Sequence, residues 1–134
     1  MAFGTATILT NFGKGLTATQ VNGTTSTPPK FIAIGTGATG AARTADATDT
    51  ALSTEYTAVA RATGTNTVVT TTQTDDTFQA VGVITAAGTI AIDEAGLFTT
   101  VTSSEAGMAV SATFPVVTLL VGDSIQITGK IQYT

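Results

Sequence analysis

From Phe31 to the C-terminus the apolar side chains recur with a period of two, which is the period of a β-strand with one face turned inward. Residues 124–133 are the cleanest example. Ile125, Ile127, Ile131 and Tyr133 point one way, while Gln126, Thr128, Lys130 and Gln132 point the other. Residues 31–34, 55–62, 65–73, 78–85, 90–98 and 108–114 read as further strands. Within them, Ile90, Ile92, Gly96 and Phe98 are expected to share one face, and Met108, Val110, Ala112 and Phe114 another. Residues 116–121 are nearly all apolar, the pattern of a strand buried on both sides. Glycine-rich or polar breakers separate these runs: the loop 35–40, the small polar stretch 41–49, Asp75-Asp76, Ala87-Gly88 and Gly122-Asp123. Short strands with regular turn signals predict an all-β fold, an antiparallel β-sandwich of jelly-roll-like form over residues 31–134. Residues 1–30 read as an N-terminal arm. There Thr10-Asn11 caps a short helix that displays Leu16 and Val21 and is weakened by Gly13 and Gly15. The pattern leaves open whether this arm packs on its own domain or reaches a neighbour.

Composition narrows the function. A chain of 134 residues fits one domain. It contains no cysteine, so disulfides, zinc–thiolate sites and thiol nucleophiles are excluded. It contains no histidine, the usual general base and commonest metal ligand, and no tryptophan to serve as a stacking platform. Only 10% of residues are charged, against roughly 25% in an average domain. Threonine fills about a quarter of the chain and favours the half-buried surface of a strand. A surface of hydroxyls stays wetted yet is cheap to cover, because re-pairing a hydroxyl costs far less than desolvating an ion. The net charge of −4 and five scattered basic residues argue against a nucleic-acid partner. The start, Met-Ala-Phe-Gly-Thr, has neither a basic n-region nor a long apolar run, so no signal peptide, no membrane partner and synthesis in a cytoplasm are expected.

Three motifs invite a chemical reading. Gly35-Thr36-Gly37-Ala38-Thr39-Gly40 follows a strand and is trailed by Glu55, as a dinucleotide fingerprint requires. The residues after Gly40 have no large apolar side chain to dock a helix, and the chain continues with period two, so a plain loop is expected and no cofactor. Asp75-Asp76 and Asp93-Glu94, with Asp46 and Asp49, are potential acid–base or hard-cation groups. They lack calcium-loop spacing, and aspartate is at home in turns. Glu94 shares a face with apolar residues, so it is expected either to pair with Arg61 or to be turned to solvent by a bulge near Gly96. Serine and threonine are plentiful, but they have no histidine base and no S-x-x-K lysine, so no hydrolytic route is expected.

Five segments in order carry a resemblance. They are Thr10-Asn11-Phe12-Gly13; residues 29–37, Pro-Lys-Phe-Ile-Ala-Ile-Gly-Thr-Gly; residues 50–55, Thr-Ala-Leu-Ser-Thr-Glu, with Arg61 downstream; residues 92–98, Ile-Asp-Glu-Ala-Gly-Leu-Phe; and residues 122–127, Gly-Asp-Ser-Ile-Gln-Ile. In this the chain resembles a family of small tailed-phage virion proteins found among capsid-decoration and tail-fibre or collar components. The resemblance implies a virion structural role without catalysis, cofactor or metal. It implies partners in the major capsid protein or further copies of the chain, as a homo-oligomer. Gly35, Gly37, Glu55, Arg61, Glu94, Gly96 and Phe98 lie in or beside these segments and stand as candidate structural or interface residues. Without a second domain or a fibrous shaft, the expected place is the outer capsid surface, as a decoration (cement) protein. A tail, baseplate or fibre-attachment (collar) component is the alternative. A glycan-binding adhesion module is the third reading, disfavoured by the absence of tryptophan.

Overall fold

The computed structural model describes residues 7–24 and 26–134. In chain order the elements are β1 (Thr7–Leu9), α1 (Asn11–Val21), β2 (Phe31–Thr36), β3 (Thr54–Glu55), β4 (Ala62–Thr63), β5 (Thr65–Val69), β6 (Thr77–Thr85), β7 (Ile90–Phe98), β8 (Met108–Leu119) and β9 (Ser124–Gln132). All pairings are antiparallel. One sheet runs β1-β8-β7-β2-β3, with β4 also on β2, and the other runs β5-β6-β9. The fold is an antiparallel β-sandwich with a short N-terminal helix.

The clean alternation of residues 124–133 has its expected consequence. β9 pairs with β6 over nine residues without a register shift, and Ile125, Ile127 and Ile131 are buried. They meet Ile32, Ile34, Ala95, Leu97 and Val110 from the larger sheet, forming the main core. Two irregularities in β8 then break the simple two-residue pattern. Opposite Leu97–Phe98, β8 carries one extra residue, Ala109, so Met108 leaves the face of Val110. Met108 instead packs with Phe98, Ala33 and Leu52 on the reverse of the sheet. The second shift, between Ile92 and Glu94, places Phe114, Pro115 and Val116 in an irregular stretch, where a proline lacking its N–H is tolerated. At that same irregularity β7 changes face: Ile90 and Ile92 pack with the main core and so do Ala95 and Leu97, which puts Phe98 in the cluster on the other side.

That reverse face is covered by a third layer drawn from the irregular excursion of residues 37–61: Ala38, Gly40, Arg43, Leu52 and Thr54 reach it, while Tyr56 and Val59 turn to the main core. β7 is therefore buried on both sides from Ile92 to Phe98, although it contains Asp93 and Glu94. The run 116–121, expected to be doubly buried, has Val116, Leu120 and Val121 largely exposed. There the strand outruns the covering layer and enters the turn to β9. The strand expected over residues 55–62 is also absent. Two-residue bridges, β3 and β4, flank a turn instead, and Gly35 and Thr36 belong to β2, not to the following loop.

The described part of the arm packs on its own domain. β1 pairs with residues 110–112 of β8. The Thr10 hydroxyl oxygen accepts the Gly13 N–H at 3.0 Å and so caps α1. Its proton goes to the Met108 carbonyl. Gly13 is buried because a Cβ there would strike the Ala109 carbonyl oxygen, whereas Gly15 faces open space. Val21 is fully displayed to solvent, and Leu16 is half-buried.

Candidate functional site

Arg43, Asp49, Glu55, Arg61, Asp93 and Glu94 converge on the covered face of the larger sheet, where they hold the third layer down. Arg61 sits at the end of the excursion with its side chain inaccessible. Its planar fork has five N–H donors, and all five are matched. Nε and Nη2 grip the two Glu55 oxygens at 2.8 and 2.9 Å. Nη1 donates to the carbonyl and the hydroxyl of Thr100, and Nη2 donates to the Glu105 carbonyl. The guanidinium lies 3.6 Å from the centroid of the Phe98 ring, a desolvated cation–π contact. Glu55 also accepts the Ser104 N–H at 2.9 Å. Burial pushes its carboxyl up, but the Arg61 fork and the Ser104 N–H pull it below the ordinary carboxylate range. This one pair ties the excursion to the loop between β7 and β8.

A second network lies further along the same face. Glu94 and Glu55 flank Gly35 in register across three strands. The Glu94 side chain is inaccessible. It accepts the Thr54 N–H at 3.0 Å and Arg43 Nη2 at 2.9 Å. Gly35 makes room for it, since a Cβ at that position would lie 2.8 Å from the carboxylate and 2.6 Å from the Thr54 carbonyl oxygen. Arg43 also reaches Asp49 at 3.1 Å, and Asp49 accepts the Ser111 hydroxyl at 2.8 Å and the Asp46 N–H at 3.0 Å. Burial acts to raise Asp49, and these donors outweigh it to hold the carboxyl low.

The structure therefore exchanges the expected partners. Arg61 does not meet Glu94. Arg61 takes Glu55, six residues away, and Glu94 takes Arg43. Nor is Glu94 turned to solvent: the irregularity after Ile92 takes it off the core face, but the face it enters is covered by the excursion. Sequence reasoning missed Arg43, Ser111 and Thr100. A cation in a stretch with no large apolar residue was the one available signal for Arg43. Among the remaining candidates, Gly37 opens the 37–40 loop at φ +107°. Gly96 leaves space for the Met108 sulfur and the Phe98 ring, either of which a Cβ would approach to 2.7 Å.

The G-x-G-x-x-G loop does gather N–H groups around an anion, but the anion is the protein's own. Asp93 accepts the Ala38 N–H at 3.0 Å and the Gly40 N–H at 2.9 Å, one on each oxygen. Asp76 plays a similar part at the other acidic pair. The N–H groups of Gln73, Thr71 and Thr72 hold its carboxyl well below the ordinary range, closing the turn before β6. Of the candidate carboxylates, Asp46, Asp49, Asp76, Asp93 and Glu94 are thus engaged in hydrogen bonds. Among the described residues no three acidic side chains converge as a cation cage would require.

The outer face of the three-stranded sheet has the opposite character. Thr67, Gln79 and Lys130 are cross-strand neighbours, as are Val83 with Gln126 and Thr85 with Ser124. Hydroxyls pair laterally there, with Thr85 and Ser124 oxygens 2.7 Å apart. Lys130 is the one ionisable residue that β5, β6 and β9 place on this face. Comparison with known proteins finds no matching family model, no similar curated protein and no similar solved structure.

Proposed function

We propose that the chain is a structural subunit of a tailed-phage virion, a decoration (cement) protein seated on the outer surface of the coat. The observation that carries this reading is the division of labour between the two faces. Ionisable groups are spent on fixing the excursion to the larger sheet, while the smaller sheet offers a broad surface of hydroxyls, amides and valines. Such a face loses little when another neutral surface covers it. A passive module of this kind adds buried area across joints between coat subunits, and many copies multiply a modest contact by avidity. A specific attachment needs roughly 800 Å² per partner. The acidic balance of the chain suits an outward position, away from packaged DNA. The order of the five family-like segments adds to the same reading. A tail or collar location uses the same surface and differs in copy number.

The test is the composition of purified particles. Quantitative protein analysis should find the chain in hundreds of copies per particle. A few to tens of copies moves it to the tail, and absence from particles overturns the virion role.

A further inference from the structure

Residues 38–53, the part of the excursion before β3, cover the larger sheet with little apolar contact. Only Ala38, Ala45 and Leu52 of this stretch are buried, and none of them belongs to the main core between the sheets. Leu52 alone joins the smaller cluster with Phe98 and Met108.

What fastens the stretch to the sheet is a set of carboxylates. Asp93 accepts the Ala38 and Gly40 N–H groups. Glu94 accepts Arg43 and, where the stretch ends, the Thr54 N–H. Asp49 accepts the Ser111 hydroxyl of β8 and shares Arg43. Among the described residues, the one further hydrogen bond from 38–53 to another element joins two backbones, the Asn11 N–H at the start of α1 donating to the Ala47 carbonyl at 2.7 Å.

Acid acts on each carboxylate tie. A protonated carboxyl carries a proton that needs an acceptor, where these sites supply N–H and O–H donors. Arg43 cannot follow, because a guanidinium stays charged, so opposite neutral acids it becomes a partly buried cation without a counter-charge. Burial pushes the Asp49 carboxyl up, but the Asp46 N–H, the Ser111 hydroxyl and Arg43 hold it below its ordinary 3.8. Its contribution is therefore complete above that value and is lost as pH falls through the lower folded one. The other charged groups around the stretch are its own Asp46, Glu55 and Arg61 at its far end, Lys14 on α1 and Glu105 in the β7–β8 loop. β2 and β8 contribute none.

The sandwich beneath lacks this dependence. Its main core holds no carboxylate and no cation. The turn before β6 keeps its closure into stronger acid, since the Gln73, Thr71 and Thr72 N–H groups hold Asp76 well below the ordinary range. At the far end of the stretch, Arg61 keeps three bonds to the Thr100 carbonyl and hydroxyl and the Glu105 carbonyl, oxygens that do not titrate.

We infer that residues 38–53 form an acid-released strap: protonation of the carboxylates that tie it down lifts it from the larger sheet while the sandwich stays folded. This is an opening of one part of the molecule below the threshold of global unfolding. It uncovers the β7–β8 face that carries Asp93, Glu94 and Ser111, a surface of carboxyls and a hydroxyl that is closed at neutral pH. The inference stands independently of the virion role.

The test is amide hydrogen exchange of the full chain, read by mass spectrometry at about pH 7 and about pH 3 and corrected for the intrinsic effect of pH on exchange. In acid, the amides of residues 38–54 should lose protection by roughly tenfold or more. Those of β6 and β9 should keep theirs, and a return to neutral pH should close the strap again. A variant with Asp49→Asn and Glu94→Gln imitates the protonated state and should open the strap at neutral pH, with the far-ultraviolet circular dichroism of the sandwich retained. Protection of residues 38–54 that persists in acid overturns the inference. So does loss of protection in β6 and β9 together with the strap, which is global unfolding, or a folded variant whose strap exchanges as slowly as the wild type. The acid measurement needs no substitution, so it decides even where the variant does not fold.

Discussion

Replacing Arg61 with alanine tests the claim that one buried ion pair fastens the third layer. The substitution removes five hydrogen bonds and the contact with Phe98. It also strands Glu55, whose side chain is only 6% exposed, with the Ser104 N–H and the Ser103 hydroxyl as its remaining donors. Breaking a buried pair by removing one partner costs about 3–5 kcal/mol, mostly for the charge left uncompensated. A domain of this size is stable by about 5–15 kcal/mol, so the loss is a large fraction of the whole. Urea unfolding followed by far-ultraviolet circular dichroism should show a midpoint far below the wild type with a similar slope. The origin of the cost predicts a reversal of sign. Glu55→Gln destabilises the wild type, yet in the Arg61→Ala background it should restore stability by removing the stranded charge. If Arg61→Ala costs less than about 1 kcal/mol, the pair does not act as a buried one. If the two changes add to within about 0.3–0.5 kcal/mol, the side chains are not coupled.

The two helical glycines should respond in opposite directions although they are two residues apart. Gly15→Ala meets nothing within 4 Å and should raise thermal stability by about 0.5–1 kcal/mol, whereas Gly13→Ala collides with the Ala109 carbonyl and the Leu9 side chain and should cost about 1–3 kcal/mol. Asp93→Asn removes one of two matched acceptors and should cost about 1–3 kcal/mol; hydrogen exchange should speed up at the Ala38 or Gly40 amide and stay unchanged along β6 and β9. Asp49 and Glu55 titrate lower when folded than their ordinary values of 3.8 and 4.5, so their contribution is complete above about pH 5 and is lost as pH falls through 4.5 and 3.8 towards the folded values. The urea midpoint should therefore fall below about pH 5 and change little from there to pH 7, since the chain has no histidine.

The alternation of residues 124–133 and the Thr10 cap are legible because each depends on neighbours along the chain. The placement of Asp93 and Glu94 is not, because the layer that buries them has no periodicity of its own. Residues 41–49 show no core-facing pattern, yet they carry Arg43 and Asp49 to Glu94 and Ser111. The two register shifts between β7 and β8 explain the faces that differ from expectation. Met108 and Val110 are two apart and should share a face, but the extra Ala109 separates them, and nothing in the sequence marks that insertion. The run 116–121 misleads for a different reason: hydropathy reports what a strand could bury, not whether anything lies above it. The expected Arg61–Glu94 pair fails because the register that sets Glu55 and Glu94 on either side of Gly35 is not written in the spacing of the sequence.

Tyr56 packs against the main core between the sheets, while the only other tyrosine, Tyr133, lies beside α1 with its hydroxyl 3.4 Å from that of Thr17. With no tryptophan to mask them, the two phenols are native optical reporters of different parts of the molecule. A Tyr56→Phe or Tyr133→Phe variant leaves a single emitter. Release of the helix can then be timed separately from melting of the sandwich on which it rests.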